Sequence, residues 1–141
     1  MIPKVACTVV IVLILSVGAA VAGNSIKETA AAVSSAENWL NMIDEGKYSS
    51  SWKESAELFR NAIKQEQWEQ SLQAVRKPLG KLITRKLKTK TYTTALPGGP
   101  DGEYVVIVFD TSFENKKSAV ETVTPMKDRD GKWRVSGYYI K

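Results

Sequence analysis

The chain has 141 residues, a formal net charge of +5, a single cysteine and no histidine. One cysteine cannot build a disulfide framework, and the missing imidazole excludes Ser-His-Asp and Cys-His catalysis and leaves zinc or copper without their usual ligands. Any general base must be Asp, Glu, Lys or Tyr, and the modest positive charge fits solubility and weak attraction to anionic envelope surfaces; no groove of stacking aromatics and arginines suggests a nucleic-acid partner.

Lys4 is the only charged residue before an apolar run from Val5 to Leu15 that continues through Val17, and Ala20-Val21-Ala22 supplies the small-residue pattern read by signal peptidase. A positive start, an apolar core and a small-residue exit mark residues 1–22 as a signal peptide, with cleavage expected near Ala22-Gly23. The competing reading is an uncleaved anchor, because Val5 to Ala22 carries no charge and nearly spans a bilayer. Ser16, Gly18 and the alanines dilute that run and favour cleavage. Cys7 lies inside the apolar core without the lipobox that lipid modification needs, and leaves with the peptide. Residues 23–141 are then expected to be periplasmic or secreted, free of thiol and imidazole, without a further membrane span. They suffice for one domain that buries about two-thirds of its unfolded surface.

Ala30, Val33, Leu40 and Ile43 recur near a 3.6-residue period, and Gly46 after Asp44-Glu45 predicts the end of a first helix. Trp52, Ala56, Phe59 and Ile63 form a second stripe, with Ser49 to Ser51 as candidate N-caps and Ser51 with Glu54 as a capping box. Trp68, Leu72, Val75 and Leu79 form a third, ended by Pro78 and Gly80. The pattern predicts three amphipathic helices, each burying one face, with their tryptophans in the core.

The period then changes. Residues 82 to 96 read as a long, basic, exposed strand, and Leu96 to Gly102 is dense with turn formers. Tyr104 to Phe113 places Val105, Ile107, Phe109 and Phe113 on one face and Tyr104, Val106, Val108 and Asp110 on the other. With both faces largely apolar, this strand is expected at the centre of the sheet. Ala119 to Met126 reads as a third strand, Asp130-Gly131 as a hairpin signal, and Trp133 to Ile140 as a fourth. The order implies an α+β fold, with three N-terminal helices packed on one face of a curved four-stranded antiparallel sheet, a cone with a mouth.

Three signatures resemble one known family: R-x-PLG at Arg76 to Gly80, PDGEYVV at Pro100 to Val106, and DGKWRVSGYYI at Asp130 to Ile140. Over residues from about Ala36 to Lys141 the chain is similar to the bacterial exported family known as domain of unknown function 4019. It departs before the third helix, where Lys64 and Gln65 replace a serine-like cap. The resemblance implies an exported protein with no assigned activity, and a helix-then-sheet order similar to the cystatin-like and nuclear-transport-factor-2-like cones.

No catalytic residue, metal site or cofactor is assigned. Enzymatic proton transfer in such a cone pairs an inward carboxylate with tyrosines, for which Asp110 or Glu121 with Tyr92, Tyr104 and Tyr138 are the available groups. Asp110 sits on the less apolar face, however, and Glu121 alternates with Ala119 and Val123 without a motif, so solvated or ion-paired carboxylates are expected. For a binding module of the cell envelope, the candidate ligand contacts are Trp52, Arg76, Arg85, Tyr104, Glu121, Arg134 and Tyr138. Arg76 and Arg85 flank the PLG turn, and any two arginines converging at the mouth can fork onto a carboxylate or phosphate; ordinary surface pairing is the alternative. Trp52 and Trp133 either line an apolar pocket or fill the core. Lys81, Arg85, Lys86, Lys88 and Lys90 form either a polyanion-binding face or a set of edge-strand gatekeepers. Trp133, Tyr138 and Tyr139 on the last strand suggest a homodimer through the open sheet face. The leading expectation is a non-catalytic binding or interaction module that meets a small ligand or an envelope component. A small-molecule enzyme and a polyanion binder are the alternatives.

Overall fold

The computed structural model describes the backbone from residue 17 and the side chains from residue 23. Most of the expected signal segment, residues 1–16, lies outside the described residues. Helix α1 spans Val17–Asp44 and contains the expected cleavage bond. Its buried stripe is Ala32, Ala36, Trp39, Leu40 and Ile43; Ala30, expected there, is exposed. The helix ends as a Schellman motif. Lys47 N–H donates to Met42 O at 2.8 Å and Gly46 N–H to Ile43 O at 3.0 Å, with Gly46 at φ +76°.

The second expected helix is two short ones, α2 (Tyr48–Lys53) and α3 (Glu57–Ala62). Ser51 caps neither. It lies within α2, where its Oγ donates to Tyr48 O at 2.7 Å, while Ser55 Oγ donates back to Ser51 O at 2.6 Å. Such hydroxyl-to-carbonyl bonds compete with continuation of a helix. The freed Ala56 N–H donates instead to Val135 O at 2.8 Å. The buried serines also serve the aromatic core: Trp39 Nε1 donates to Ser51 O (2.8 Å) and Ser55 Oγ (3.0 Å), and Trp68 Nε1 to Ser51 Oγ (2.9 Å). Helix α4 (Gln65–Val75) follows Lys64, whose N–H donates to Gln67 Oε1 at 3.3 Å; the glutamine thus satisfies the amide before the helix, as in one half of a capping box, while a serine would have accepted from the first-turn amides. The third stripe runs Trp68, Leu72, Arg76 rather than through Val75, which is 56% exposed. A 3₁₀ turn at Lys77–Leu79 leads into Gly80 at φ +76°.

Strands β1 (Leu82–Thr93), β2 (Tyr104–Phe113), β3 (Lys116–Lys127) and β4 (Trp133–Ile140) form one antiparallel meander in the order β1-β2-β3-β4. β1 stops three residues before the expected end. Thr93 Oγ1 donates to Ala95 O at 2.9 Å and Gly102 N–H to Thr94 O at 3.1 Å, diverting the chain into a loop. β3 begins earlier than expected because Glu114-Asn115 makes a two-residue turn between paired Phe113 and Lys116. Pro125 sits at a register shift against β4, where a missing N–H is tolerated. Further shifts interrupt β1 against β2 and the end of β2 against β3, and such bulges bend a sheet. β2 does have a strand on each side, but only one of its faces is covered along its length; on the other face Tyr104 alone is buried. Val105, Ile107, Phe109, Thr111 and Phe113 are buried beneath the helical layer, whereas Val106 and Val108 are half-buried and Asp110 is exposed. α1 touches all four strands and α3 touches β4. Trp39, Phe59, Trp68 and Leu72 complete the core from the helical side.

Candidate functional site

Period-2 alternation turns Arg85 of β1, Thr111 of β2 and Glu121 of β3 toward the helices, because Arg85 pairs with Thr111 and Glu121 with Phe109 in the sheet register. Glu121 is fully buried. Its Oε1 accepts from Arg85 Nε at 2.8 Å and Thr111 Oγ1 at 2.6 Å, and its Oε2 accepts from Arg85 Nη2 at 3.3 Å and from the Tyr138 hydroxyl. The other side of the Arg85 guanidinium grips Asp44 at the end of α1, with Nη1 to Oδ2 at 2.7 Å and Nη2 to Oδ1 at 3.0 Å. Arg76, which follows α4, donates to the same Asp44 Oδ1 at 3.3 Å and to Gly80 O at 2.6 Å. Its guanidinium carbon lies 4.4 Å from the centroid of the Phe113 ring, and its Nε has no hydrogen-bond partner among the described residues.

Two carboxylates and two guanidiniums therefore balance inside the fold. Burial opposes the charge on Arg85, but its hydrogen bonds to Asp44 and Glu121 outweigh that and hold its pKa above the usual arginine value. Burial, then the charge of Glu121 and the hydrogen bond to it, push the Tyr138 phenol upward, so it stays a donor. A carboxylate offers about four acceptor sites, and four donors reach Glu121. None is left for a substrate proton.

Four of the seven expected contact residues meet here: Arg76, Arg85, Glu121 and Tyr138. The arginines do converge, but on the chain's own Asp44 rather than at an open mouth. Trp52 is half-buried and spends its Nε1 on Ile63 O at 2.8 Å. Tyr104 is buried; its hydroxyl holds Pro100 O at 2.6 Å, and burial raises its pKa. Arg134 clamps the β3–β4 turn through Asp130 (2.8 Å) and Asp128 (3.0 Å). The Arg134 bonds, then the Lys132 amide, hold the Asp130 carboxyl well below the usual range. Asp110 is solvated, 4.0 Å from Lys88. Trp133 donates to Glu28 at 2.6 Å, and Tyr92 to Glu103 at 2.9 Å. Asp44 and Thr111 are the members that sequence reasoning missed. The available signal was Glu121 itself, a carboxylate on an apolar strand face that needs a cation, with Arg85 on the inward side of the basic strand.

A cleft of about 470 Å³ lined by Asp44, Tyr48, Gln73, Arg76, Lys77 and Lys81 skirts the cluster. A second, of about 510 Å³, lies between α1 and the β3–β4 turn. Neither is lined by Glu121 or Tyr138. Among the described residues, no group of three or more His, Cys, Asp or Glu is placed to hold a metal ion, and no helix is long and apolar enough to cross a membrane.

The model of one family, proteins of unknown function DUF4019, matches residues 35–138. The chain belongs to DUF4019. The matched span holds every member of the cluster, from Asp44 to Tyr138, so the ionic centre lies wholly within the DUF4019 domain. No curated protein and no solved structure matches the chain.

Proposed function

We propose that this DUF4019 protein is an exported, cofactor-free interaction module of the cell envelope, periplasmic or secreted, rather than an enzyme. The saturation of Glu121 carries the reading. The buried strand carboxylate that proton transfer in a cone would use is consumed by internal donors, and the interior beside it is filled by tightly spaced rings. Phe59 and Trp68 lie 4.9 Å apart between centroids, Trp39 and Tyr138 5.2 Å, and Trp39 and Trp68 5.7 Å. On the nuclear-transport-factor-2-like reading of the fold, the cone would be a filled one. Binding then falls to the surface, which weakens the case for a small buried ligand. The outer sheet face presents half-buried Val106, Val108, Val120 and Met126 beside Tyr139, which is 62% exposed, and a second copy laid on it makes an isologous homodimer.

Expression of all 141 residues followed by cell fractionation and mass measurement tests export. The expected product begins at Gly23 outside the cytoplasm; an intact leader on a cytoplasmic protein refutes the proposal. Sedimentation tests the dimer, which Tyr139→Glu should dissociate, and a wild-type protein monomeric at all concentrations removes it.

A further inference from the structure

β1 is bonded to a neighbour on one side only. Among the described residues, no backbone hydrogen bond outside the sheet involves residues 82–93, so its outer row of N–H and C=O groups is open to another strand. On the helix side, that edge borders a groove of about 340 Å³, lined by Glu37 of α1, by Leu82, Ile83, Leu87 and Phe109, and by Arg85, whose guanidinium is nearly buried and already paired with Asp44 and Glu121. Ile83 is 61% and Leu87 42% exposed. On the other side of the sheet stand Lys86, in register with the outward Asp110, and Lys88, which approaches the same carboxylate.

Resting on the interaction-module reading, we propose that the β1 edge accepts an extended acidic segment of a partner protein as a fifth strand, with alternate side chains apolar and anionic. The two sides of the edge ask for different chemistry, and a strand delivers different chemistry to its two sides. Inward side chains meet the groove of Leu82, Ile83 and Leu87, where Glu37 repels a second carboxylate. Outward side chains meet Lys86 and Lys88, and opposite charges across a strand pair stabilise it. A flat polyanion is the poorer match, because Arg85 is turned inward and already paired and Lys90, in register with the inward Ile107, stands on the opposite side of the sheet from Lys86. A second copy pairing edge to edge brings β1 lysines against β1 lysines, which destabilises the pair. The lysines that guard the edge against its own kind thus favour an acidic visitor.

Backbone amide exchange on the purified product of the full chain tests this, using the heptapeptide Glu-Val-Glu-Val-Glu-Val-Glu. Its lysine counterpart, the block isomer Glu-Glu-Glu-Glu-Val-Val-Val and long polyglutamate serve as controls. The expected result is protection of amides between Leu82 and Thr93 by the alternating acidic peptide alone, weakening with salt. The exposed pair Lys86→Glu/Lys88→Glu should lower that affinity roughly tenfold and create affinity for the lysine peptide. No binding at the highest soluble concentration overturns the proposal. So does equal binding by the block peptide or polyglutamate, or protection that falls on β4 instead of β1. An exported dimer that binds no peptide leaves the module reading standing and removes only this inference. A protein that is never exported removes the module reading whatever the peptides do.

Discussion

At β4 the sheet margin is taken up by helical segments: Ala56 N–H donates to Val135 O, Ser35 Oγ to Trp133 O at 2.7 Å, and α3 lies alongside. At β1 nothing described occupies the margin, and the inner side of that strand is held by the Asp44–Arg85–Glu121 fork. Tyr138 of β4 links the two, packing edge-on against Trp39 and donating to Glu121. One half of the core is thus held by aromatic packing and the other by matched charge. Packing degrades gradually as volume is lost. A buried ion pair fails abruptly when one partner goes, since the remaining charge has neither water nor counter-ion.

Arg85→Ala should cost the most, about 3–5 kcal/mol in denaturant unfolding, because it strands Glu121. The double variant Arg85→Met/Glu121→Leu should recover much of that by replacing two ions with hydrocarbon; additive losses break the comparison. Trp68→Ala comes next, at about 3 kcal/mol. Here the sharper test is rescue: Trp68→Leu should regain part of the loss, whereas Arg85→Lys should not regain the fork, which needs a planar guanidinium. Tyr138→Phe removes one donor from Glu121 and should cost about 1–2 kcal/mol near neutral pH. Because the folded phenol titrates above its ordinary value, both states carry the proton at neutral pH. Above about pH 10 the unfolded chain ionises first, so wild-type stability falls as pH rises and the Phe variant falls less steeply. Gly80→Ala should cost about 1–3 kcal/mol, because φ +76° with ψ −156° is a conformation essentially confined to glycine, and more if Glu114 cannot move, since an added Cβ lies 2.8 Å from that residue's Oε2. Lys86→Glu/Lys88→Glu on the open margin should cost no more than about 1 kcal/mol, from like charges set against Asp110, which would set that margin apart from the fork beneath it.

Local periodicity is enough to bound β2 and β4 at Tyr104–Phe113 and Trp133–Ile140, and Gly46 marks the end of α1 as expected. It fails where partners are distant in sequence. The Trp52–Ile63 stripe keeps its spacing while the helix axis breaks at Ser55, because the break is made by hydroxyls serving Trp39 and Trp68. Asp44 reads as a helix-end residue because its partner Arg85 lies 41 residues on. Arg85 in turn reads as one of five basic residues until pairing with Thr111 shows which way it faces. Arg76 is hidden in its helix stripe because a guanidinium lying over Phe113 does the work of an apolar residue.

Helix α1 is fastened to the far end of the chain: Ser35 bonds the Trp133 carbonyl across 98 residues, Glu28 the Trp133 indole across 105, and Glu28 Lys127 across 99. The seat of the earliest long element, which also rests on β1, β2 and β3, is therefore complete only when the latest strand has been made. Contacts over such separations form slowly relative to a local helix, so the N-terminal helix is fully docked only late in folding. That delay leaves time for any machinery that must handle the polypeptide before it becomes compact.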